Sequence, residues 1–301
     1  MPSARDIQRR RRSVKNVSKV TGALQTVAAS RVRRAQSQAL ATRAYANAAM
    51  DILHDIAEQT AGEMSHPLLD ERSEIKALGV VLITSDRGLA GPYNSNVVRT
   101  AYEFERKQSI PVSYISIGRK GRDLLLRRGA NIVAEFSDLP AVPSILDITA
   151  ITRTAVDEFD KHNVDEVYLI YTNFVNMLRQ DPTVQRLLPL QPVSIAGADQ
   201  KVSIQPAQLG AEAVFTYEPD PEAILNEILP RFTELQIFQA LLESLASEHS
   251  ARMVAMRNAT ENANAIVDEL TLAYNKARQL AITSEILDIV GGAEALKASS
   301  D

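Results

Sequence analysis

The 301-residue chain has no cysteine. Disulfides, thiolate metal sites and thiol catalysis are excluded, which fits a reducing compartment. Tryptophan is absent as well, and aromatic residues make up only 5% of a chain that is 45% hydrophobic. Aromatics ordinarily supply much of a core's buried area, so small aliphatic side chains must do the packing here. No apolar run reaches the roughly 18 residues that a membrane-spanning helix needs. The four histidines, His54, His66, His162 and His249, are scattered, with no pair at metal-ligand spacing. Proline is missing from Ser3 to His66, and the only glycine between Ser3 and Gln59 is Gly22. Acid is nearly missing from residues 1–45, where Asp6 stands alone.

Against that one acid stand eleven bases: Arg5, Arg9, Arg10, Arg11, Arg12, Lys15, Lys19, Arg31, Arg33, Arg34 and Arg43, a net +10. The other 256 residues hold 22 bases and 36 acids, a net −14, so the overall −4 hides an asymmetry. A basic arm implies an anionic partner: nucleic acid, a lipid surface or an acidic protein face. A solvated helix face is the plainer alternative. Arg9 to Arg12 are consecutive, so on a helix they fan around the whole circumference. Either water or an acidic collar surrounds that turn. An arginine-rich, acid-poor start resembles a transit peptide. The pattern runs on into a long helix without a break, so it reads as mature protein.

The proline-free segment carries small or apolar residues at 4-3 spacing: Ala28, Val32, Ala35, Ala39, Thr42, Ala46, Ala49, Leu53 and Ile56. That is a heptad seam, and its alanines allow a partner helix to approach closely. A helix from Ser3 to Gln59 would be about 85 Å long. The last segment repeats the pattern. Its seam reads Ile228, Leu235, Phe238, Leu242, Leu245, His249, Arg252, Met256, Ala259, Ala263, Ile266, Leu270, Ala273, Ala277, Leu280, Ser284 and Leu287. Pro221 suits a first helical turn, Pro230 a kink or restart, and Gly291–Gly292 a terminator.

A heptad face needs a partner, and the economical solution pairs the two terminal helices antiparallel. With Ile56 beside Ile228, equal rise puts Ile7 opposite Ala277. The last turns, "LAITSEILDIVGG", then extend beyond the first helix. Measured from Ala281, the apolar residues fall at about 80° (Ile289), 100° (Ile282), 140° (Ile286), 180° (Val290) and 240° (Leu287). So broad an apolar surface needs a socket, or else folds back on its own domain.

Between the two helices, strand-like runs alternate with helical ones. Leu78–Thr84, Val112–Ile117, Asn131–Phe136 and Glu166–Tyr171 read as strands, with Val184–Leu190 and Ala213–Tyr217 as possible edge strands. Ser95–Gln108, Gly121–Arg128 and Ser144–Asn163 read as helices. This alternation predicts a mostly parallel sheet with helices on its faces. The loop "SDRGLAGPYN", Ser85 to Asn94, follows a buried strand and holds Gly88 and Gly91, as a phosphate cradle would. It lacks the lysine and hydroxyl of a P-loop and is not G-x-G-x-x-G. The spacing predicts a tight strand-to-helix turn, with Asn94 or Ser95 capping the helix. "GRKG", Gly118 to Gly121, reads as another such turn. No nucleophile, base and oxyanion site assemble anywhere.

Three stretches carry a resemblance: "TGALQTVAASRVRRAQ" (21–36), "SDRGLAGPYNSNV" (85–97) and the block from Ser247 to Leu296 that opens "SEHSARMVAMRNATENANAIVDEL". With the architecture, they resemble the gamma-subunit family of F-type ATP synthases over essentially the whole chain. The resemblance implies an α/β chain in which residues 1–60 and 220–301 form a long antiparallel coiled-coil shaft and 75–218 a Rossmann-like foot domain with a mostly parallel sheet. It implies a central rotor shaft turning inside a ring of α and β subunits. The foot would sit against the epsilon subunit and the membrane ring of c subunits. Rotation would couple proton or sodium flow to ATP synthesis at the β subunits.

The resemblance further implies no catalytic residue, cofactor or metal in the chain itself, and no nucleic-acid partner. The implied location is the cytoplasmic face of a bacterial plasma membrane, peripheral and held through the complex. Contacts to the hexamer are expected from Arg9, Arg10, Arg11, Arg12, Leu24, Arg252, Arg278, Gln279, Ile282, Thr283, Ile286 and Leu287, and Arg87, Gly88 and Gly91 are expected to form a turn of the foot. The chain departs from the family at Gly22, where members often carry lysine, and at Leu24 and Thr26, where methionine is usual. The cysteine-bearing insert of chloroplast members is absent, so thiol regulation is not expected. Two rivals stand beside this reading. A DNA-binding coiled coil would bind duplex in a salt-sensitive way as a dimer. An α/β enzyme would bind nucleotide saturably on its own.

Overall fold

The computed structural model describes residues 3–59, 66–190 and 221–298, with side-chain environments outside residues 40, 43–59, 221–226 and 294–298. The expected strand Ala213–Tyr217 and the seam residues Ala46, Ala49, Leu53 and Ile56 lie outside what is described. Two helices bracket the chain: α1, Ala4–Gln59, and α5, Pro221–Ala298. Between them come β1 (Leu78–Ile83), α2 (Tyr93–Lys107), β2 (Val112–Ile117), α3 (Arg119–Leu126), β3 (Asn131–Phe136), α4 (Thr149–Asp160), β4 (Glu166–Phe174) and β5 (Gln180–Leu188). The chain divides into two compact units, Met1–Ala29 with Arg252–Asp301, and Ser30–Ala251.

In the larger unit the described strands form a five-stranded sheet in the order β3-β2-β1-β4-β5. All pairings are parallel except β4 with β5. Every residue of β1 is buried, as the continuous run "LGVVLI" requires of a strand covered on both faces. One face packs Val80 and Leu82 with Val97, Val98 and Leu125 of α2 and α3. The other packs Ile83, Ile115 and Leu169 with Ile151 and Phe159 of α4 and Phe232, Ile237 and Leu241 of α5. Each fully buried side chain of this kind contributes about 1.5–3 kcal/mol. Thr172 on β4 is held by α5 from two sides. Its N–H donates to Ser244 Oγ at 3.2 Å, and Ser247 Oγ donates to its carbonyl at 3.1 Å.

The departures from the expected elements have local causes. β5 begins at Gln180 rather than Val184 because Pro182, which reads as a strand breaker, stands opposite Thr172 on an edge strand, where proline is tolerated. The helix expected over Ser144–Asn163 is a capped 3₁₀ turn, Ile145–Asp147, followed by α4. Asn94 and Ser95 do not cap α2, which starts at Tyr93 after Pro92. Asn94 reaches back instead, its Oδ1 accepting from Ser85 N–H at 3.0 Å. α5 begins at Pro221 as expected, but it does not restart at Pro230 or end at Gly291–Gly292. Neither of those glycines takes the left-handed conformation of a helix terminator, and the helix runs on to Ala298.

In the smaller unit Ser3 opens α1 with a reciprocal cap. Ser3 Oγ accepts from Asp6 N–H at 3.2 Å, and the Asp6 carboxylate accepts from Ser3 N–H at 3.3 Å and from Ser3 Oγ at 2.7 Å. These bonds, with Arg9 nearby, hold the Asp6 carboxyl below its ordinary value.

Candidate functional site

The glycine loop is the first place to look for chemistry, because the carboxyl ends of parallel strands are where α/β sheets bind ligands. A phosphate there would use the leading N–H groups of α3. All three are already engaged within the chain. Arg119 N–H donates to Asp86 Oδ1 at 3.1 Å, Lys120 N–H to the Ser85 carbonyl at 3.1 Å, and Gly121 N–H to Thr84 Oγ1 at 2.8 Å. The second Asp86 oxygen accepts from Asp138 N–H at 3.1 Å, and Arg119 pairs with Asp138. An incoming anion would meet a carboxylate and no vacant amide among these three. Asp86 is thus a clasp joining the ends of β1, β2 and β3.

Glycine is required in this clasp. Gly118 has φ +93, and a Cβ there would lie 2.4 Å from the Thr84 carbonyl oxygen, a backbone atom that cannot swing aside. Gly118→Ala is expected to destabilise the sheet domain by about 1–3 kcal/mol, read as a lowered urea midpoint. An unchanged midpoint would mean that the clasp relaxes freely. Arg87, Gly88 and Gly91 are exposed on this turn, Gly91 at φ +56. Leu89 is also left-handed, at φ +62, and is 69% exposed.

The smaller unit offers a surface of another kind. Arg11 stacks on Tyr274 at 5.1 Å, Ser18 Oγ donates to Asn264 Oδ1 at 2.6 Å, and the Thr21 and Thr260 hydroxyls meet at 2.7 Å. Partner numbers fall as α1 numbers rise, so the helices run antiparallel. This register brings Ile7 within about a turn of Ala277, as equal rise predicts. The α1 seam also reaches further than its alanines. Ala4, Ile7, Arg11, Val14, Ser18, Thr21 and Gln25 are all half-buried, in phase with buried Ala28 and Val32. Short of the exposed last turns, which include the seam residues Leu280, Ser284 and Leu287, the α5 seam needs correction at two slots. Ile266 and Ala273 are exposed, while Val267 and Tyr274, one residue on, are half-buried. A 3.6-residue helix drifts about 20° per heptad against a strict repeat, enough to bring the neighbouring residue inward.

From Arg278 to Ala293 every residue is exposed. Leu280 is 55% exposed, Ile282 50%, Ile286 55%, Leu287 65% and Ile289 66%. Arg278, Gln279 and Thr283 stand among them, with Thr283 Oγ1 donating back to the Gln279 carbonyl at 2.9 Å. Arg9, Arg10 and Arg12 are exposed, Arg11 is half-buried, Leu24 is 37% exposed and Arg252 is half-buried. These candidates all belong to the smaller unit, and the glycine turn belongs to the larger. Sequence reasoning missed the Arg11–Tyr274 stack and the bonds of Ser18 to Asn264 and Thr21 to Thr260, although the spacing of the α1 residues was legible. Among the described residues no group of acids and histidines forms a metal site.

Comparison with known proteins adds an independent line. The sequence profile described as ATP synthase matches residues 3–296. The chain is similar to the ATP synthase gamma chain of Roseiflexus castenholzii, 44% identical over 299 residues, covering 98% of this chain and 99% of that one. It is as similar to the ATP synthase gamma chain of Herpetosiphon aurantiacus, 44% identical over 305 residues with the same coverage. Among solved structures, a chain of the central stalk and c-ring of the Tetrahymena thermophila mitochondrial ATP synthase aligns with a TM-score of 0.59 at 24% identity, covering 80% of this chain and 99% of that one. A chain of the Euglena gracilis mitochondrial ATP synthase aligns at 0.58 and 18% identity, covering 93% and 97%. At such identities these last two likenesses concern the fold.

Proposed function

This chain belongs to the gamma-chain family of ATP synthases, and from that premise we propose how its surfaces serve as the central rotor shaft of the complex. It is a non-catalytic subunit, and rotation couples ion flow to ATP synthesis or hydrolysis at sites on the β subunits. Residues 1–60 and 220–301 serve as the shaft and 75–218 as the foot. The observation that carries this reading is the antiparallel pairing of α1 and α5 in the smaller unit, with exposed apolar side chains from Leu280 to Val290. That stretch seats in an apolar sleeve of the αβ hexamer, together with Arg278, Gln279 and Thr283. Leu24 and Arg252 contribute further contacts, and the foot meets the epsilon subunit and the c ring. No described helix is long and apolar enough to cross a membrane. The chain works as a peripheral part of the complex, on the cytoplasmic face of a bacterial plasma membrane.

The test mixes purified α and β subunits with and without this chain and measures complex formation and ATP hydrolysis. A stable complex with raised hydrolysis only in the three-component mixture supports the rotor. Hydrolysis by the chain alone, with no complex formed, overturns it.

The exposed arginines of the arm face acidic groups of that hexamer. Replacing Arg9, Arg10 and Arg12 with Gln is expected to flatten the salt dependence of assembly, because exposed charge pairs are screened over about 8–10 Å at ordinary ionic strength. Arg11 is left in place because it stacks on Tyr274. An unchanged salt slope would assign these three side chains to water.

A further inference from the structure

The larger unit carries a recess that neither the rotor reading nor the glycine clasp uses. It holds about 560 Å³ beside α2 and the end of α3, within the 300–1,000 Å³ range of small-molecule sites. Four arginines line it, Arg99, Arg106, Arg127 and Arg128, against one acid, Glu103. The balance is three positive charges on a chain whose net charge is −4. Its aromatic element is fixed. Tyr102 donates its hydroxyl to the Leu124 carbonyl at 2.9 Å, and Arg128 lies over its ring at 4.2 Å. Stacking sets the plane of that guanidinium and limits the rotamer freedom lost on binding.

The internal charges do not consume the cations. Arg99 and Glu103 approach only to 3.8 Å, and both are more than half exposed. Among the described residues no ion-pair partner falls to the Arg106 or Arg127 guanidinium. Helix-end electrostatics account for Arg106, which sits in the last turn of α2. They do not account for three further arginines lining the same recess.

We propose that this recess binds an organic phosphate. Guanidinium forks match phosphate oxygens in paired hydrogen bonds, and Tyr102 holds the Arg128 guanidinium in place by stacking. The phosphate comes either from a free phosphate ester or from a lipid headgroup, and both would use the same arginines.

The test uses the full chain with three probes: inorganic pyrophosphate, ADP, and vesicles containing phosphatidylglycerol. Binding is compared between the parent, an R106Q/R127Q variant and an R9Q/R10Q/R12Q variant, after circular dichroism melts establish that all three are folded alike. The expected result is saturable binding of ADP or of the vesicles, weakened about tenfold or more in R106Q/R127Q and retained in R9Q/R10Q/R12Q. Binding of ADP, weakened in R106Q/R127Q and without hydrolysis, identifies a free phosphate ester held by these arginines rather than a catalytic nucleotide site. Binding of vesicles alone, lost in R106Q/R127Q, identifies a headgroup. Equal binding by the parent and R106Q/R127Q, loss only in R9Q/R10Q/R12Q, binding of pyrophosphate alone, or no binding of any probe overturns the proposal.

Discussion

Removing the chain from Ile282 onward is expected to weaken assembly with the α and β subunits by about a hundredfold or more, while the central sheet stays folded. The five large side chains lost, Ile282, Ile286, Leu287, Ile289 and Val290, are 50–66% exposed. Covering the exposed part of each contributes about 1 kcal/mol, or about 5 kcal/mol together. Ordering the helix and its socket on binding offsets part of this. The sheet lies in the other compact unit, and among the described residues it draws no core residue from the deleted stretch, so its hydrogen-exchange protection should be unchanged. Sedimentation of the reconstituted complex and ATP-driven rotation read the effect. Unchanged assembly and rotation would end the sleeve assignment.

A second large effect is expected inside the sheet-bearing unit. Asp165 and Arg72 form an ion pair at 2.8 Å, with side chains only 12% and 17% exposed. The second Asp165 oxygen accepts from the N–H groups of Lys76 and Ala77 at 2.6 and 3.0 Å. Arg72 also donates to the carbonyls of Val164 and Phe159 and stacks on the Phe159 ring at 4.4 Å. Together they anchor the segment entering β1 to the turn between α4 and β4. Asp165→Ala leaves a mostly buried guanidinium and two N–H groups unpaired and should cost about 3 kcal/mol or more. The check is the urea midpoint at neutral pH, and a midpoint within error of the parent would remove the anchor.

The pH dependence of this anchor follows from Asp165. Burial raises the carboxyl's pKa, but the bonds from Arg72, Lys76 and Ala77 outweigh it, and the folded pKa lies below the ordinary 3.8. The stabilisation is therefore fully present above about pH 4 and is lost as pH falls through the folded value. The parent should lose stability with acid in that window, and Asp165→Ala should lose less. Tyr168 titrates far from this range. Burial and its bond to Glu166 push it up to about 12.

Much of this fold was legible because its signals are local. β1, β2 and β3 fall where unbroken or alternating apolar runs put them, give or take one residue. The Ala28–Val32–Ala35–Ala39 seam is buried at each position. What escaped depends on partners distant in the chain. Ser18 and Thr21 look like surface residues until Asn264 and Thr260 arrive opposite them, and Arg11 looks like one more cation until Tyr274 lies beneath it. Asn94 looks like a helix cap because its preference is local, whereas its bond to Ser85 is set by the closure of the loop. Neither Asp86 nor Arg72 stands out in composition or spacing. Each earns its place only once two backbone groups distant in the chain converge on it.

The Asp86 clasp has a mechanical consequence. One carboxylate grips the chain just after β2 and just after β3, while its own backbone continues from β1. A pull on the exposed Leu89 tip is therefore shared by three neighbouring strands at once. Parallel ladders loaded together along their length must break many hydrogen bonds in shear, whereas a single strand pulled from its end peels one bond at a time. The turn behaves as a yoke, spreading a point force over the width of the sheet before any one strand can slip.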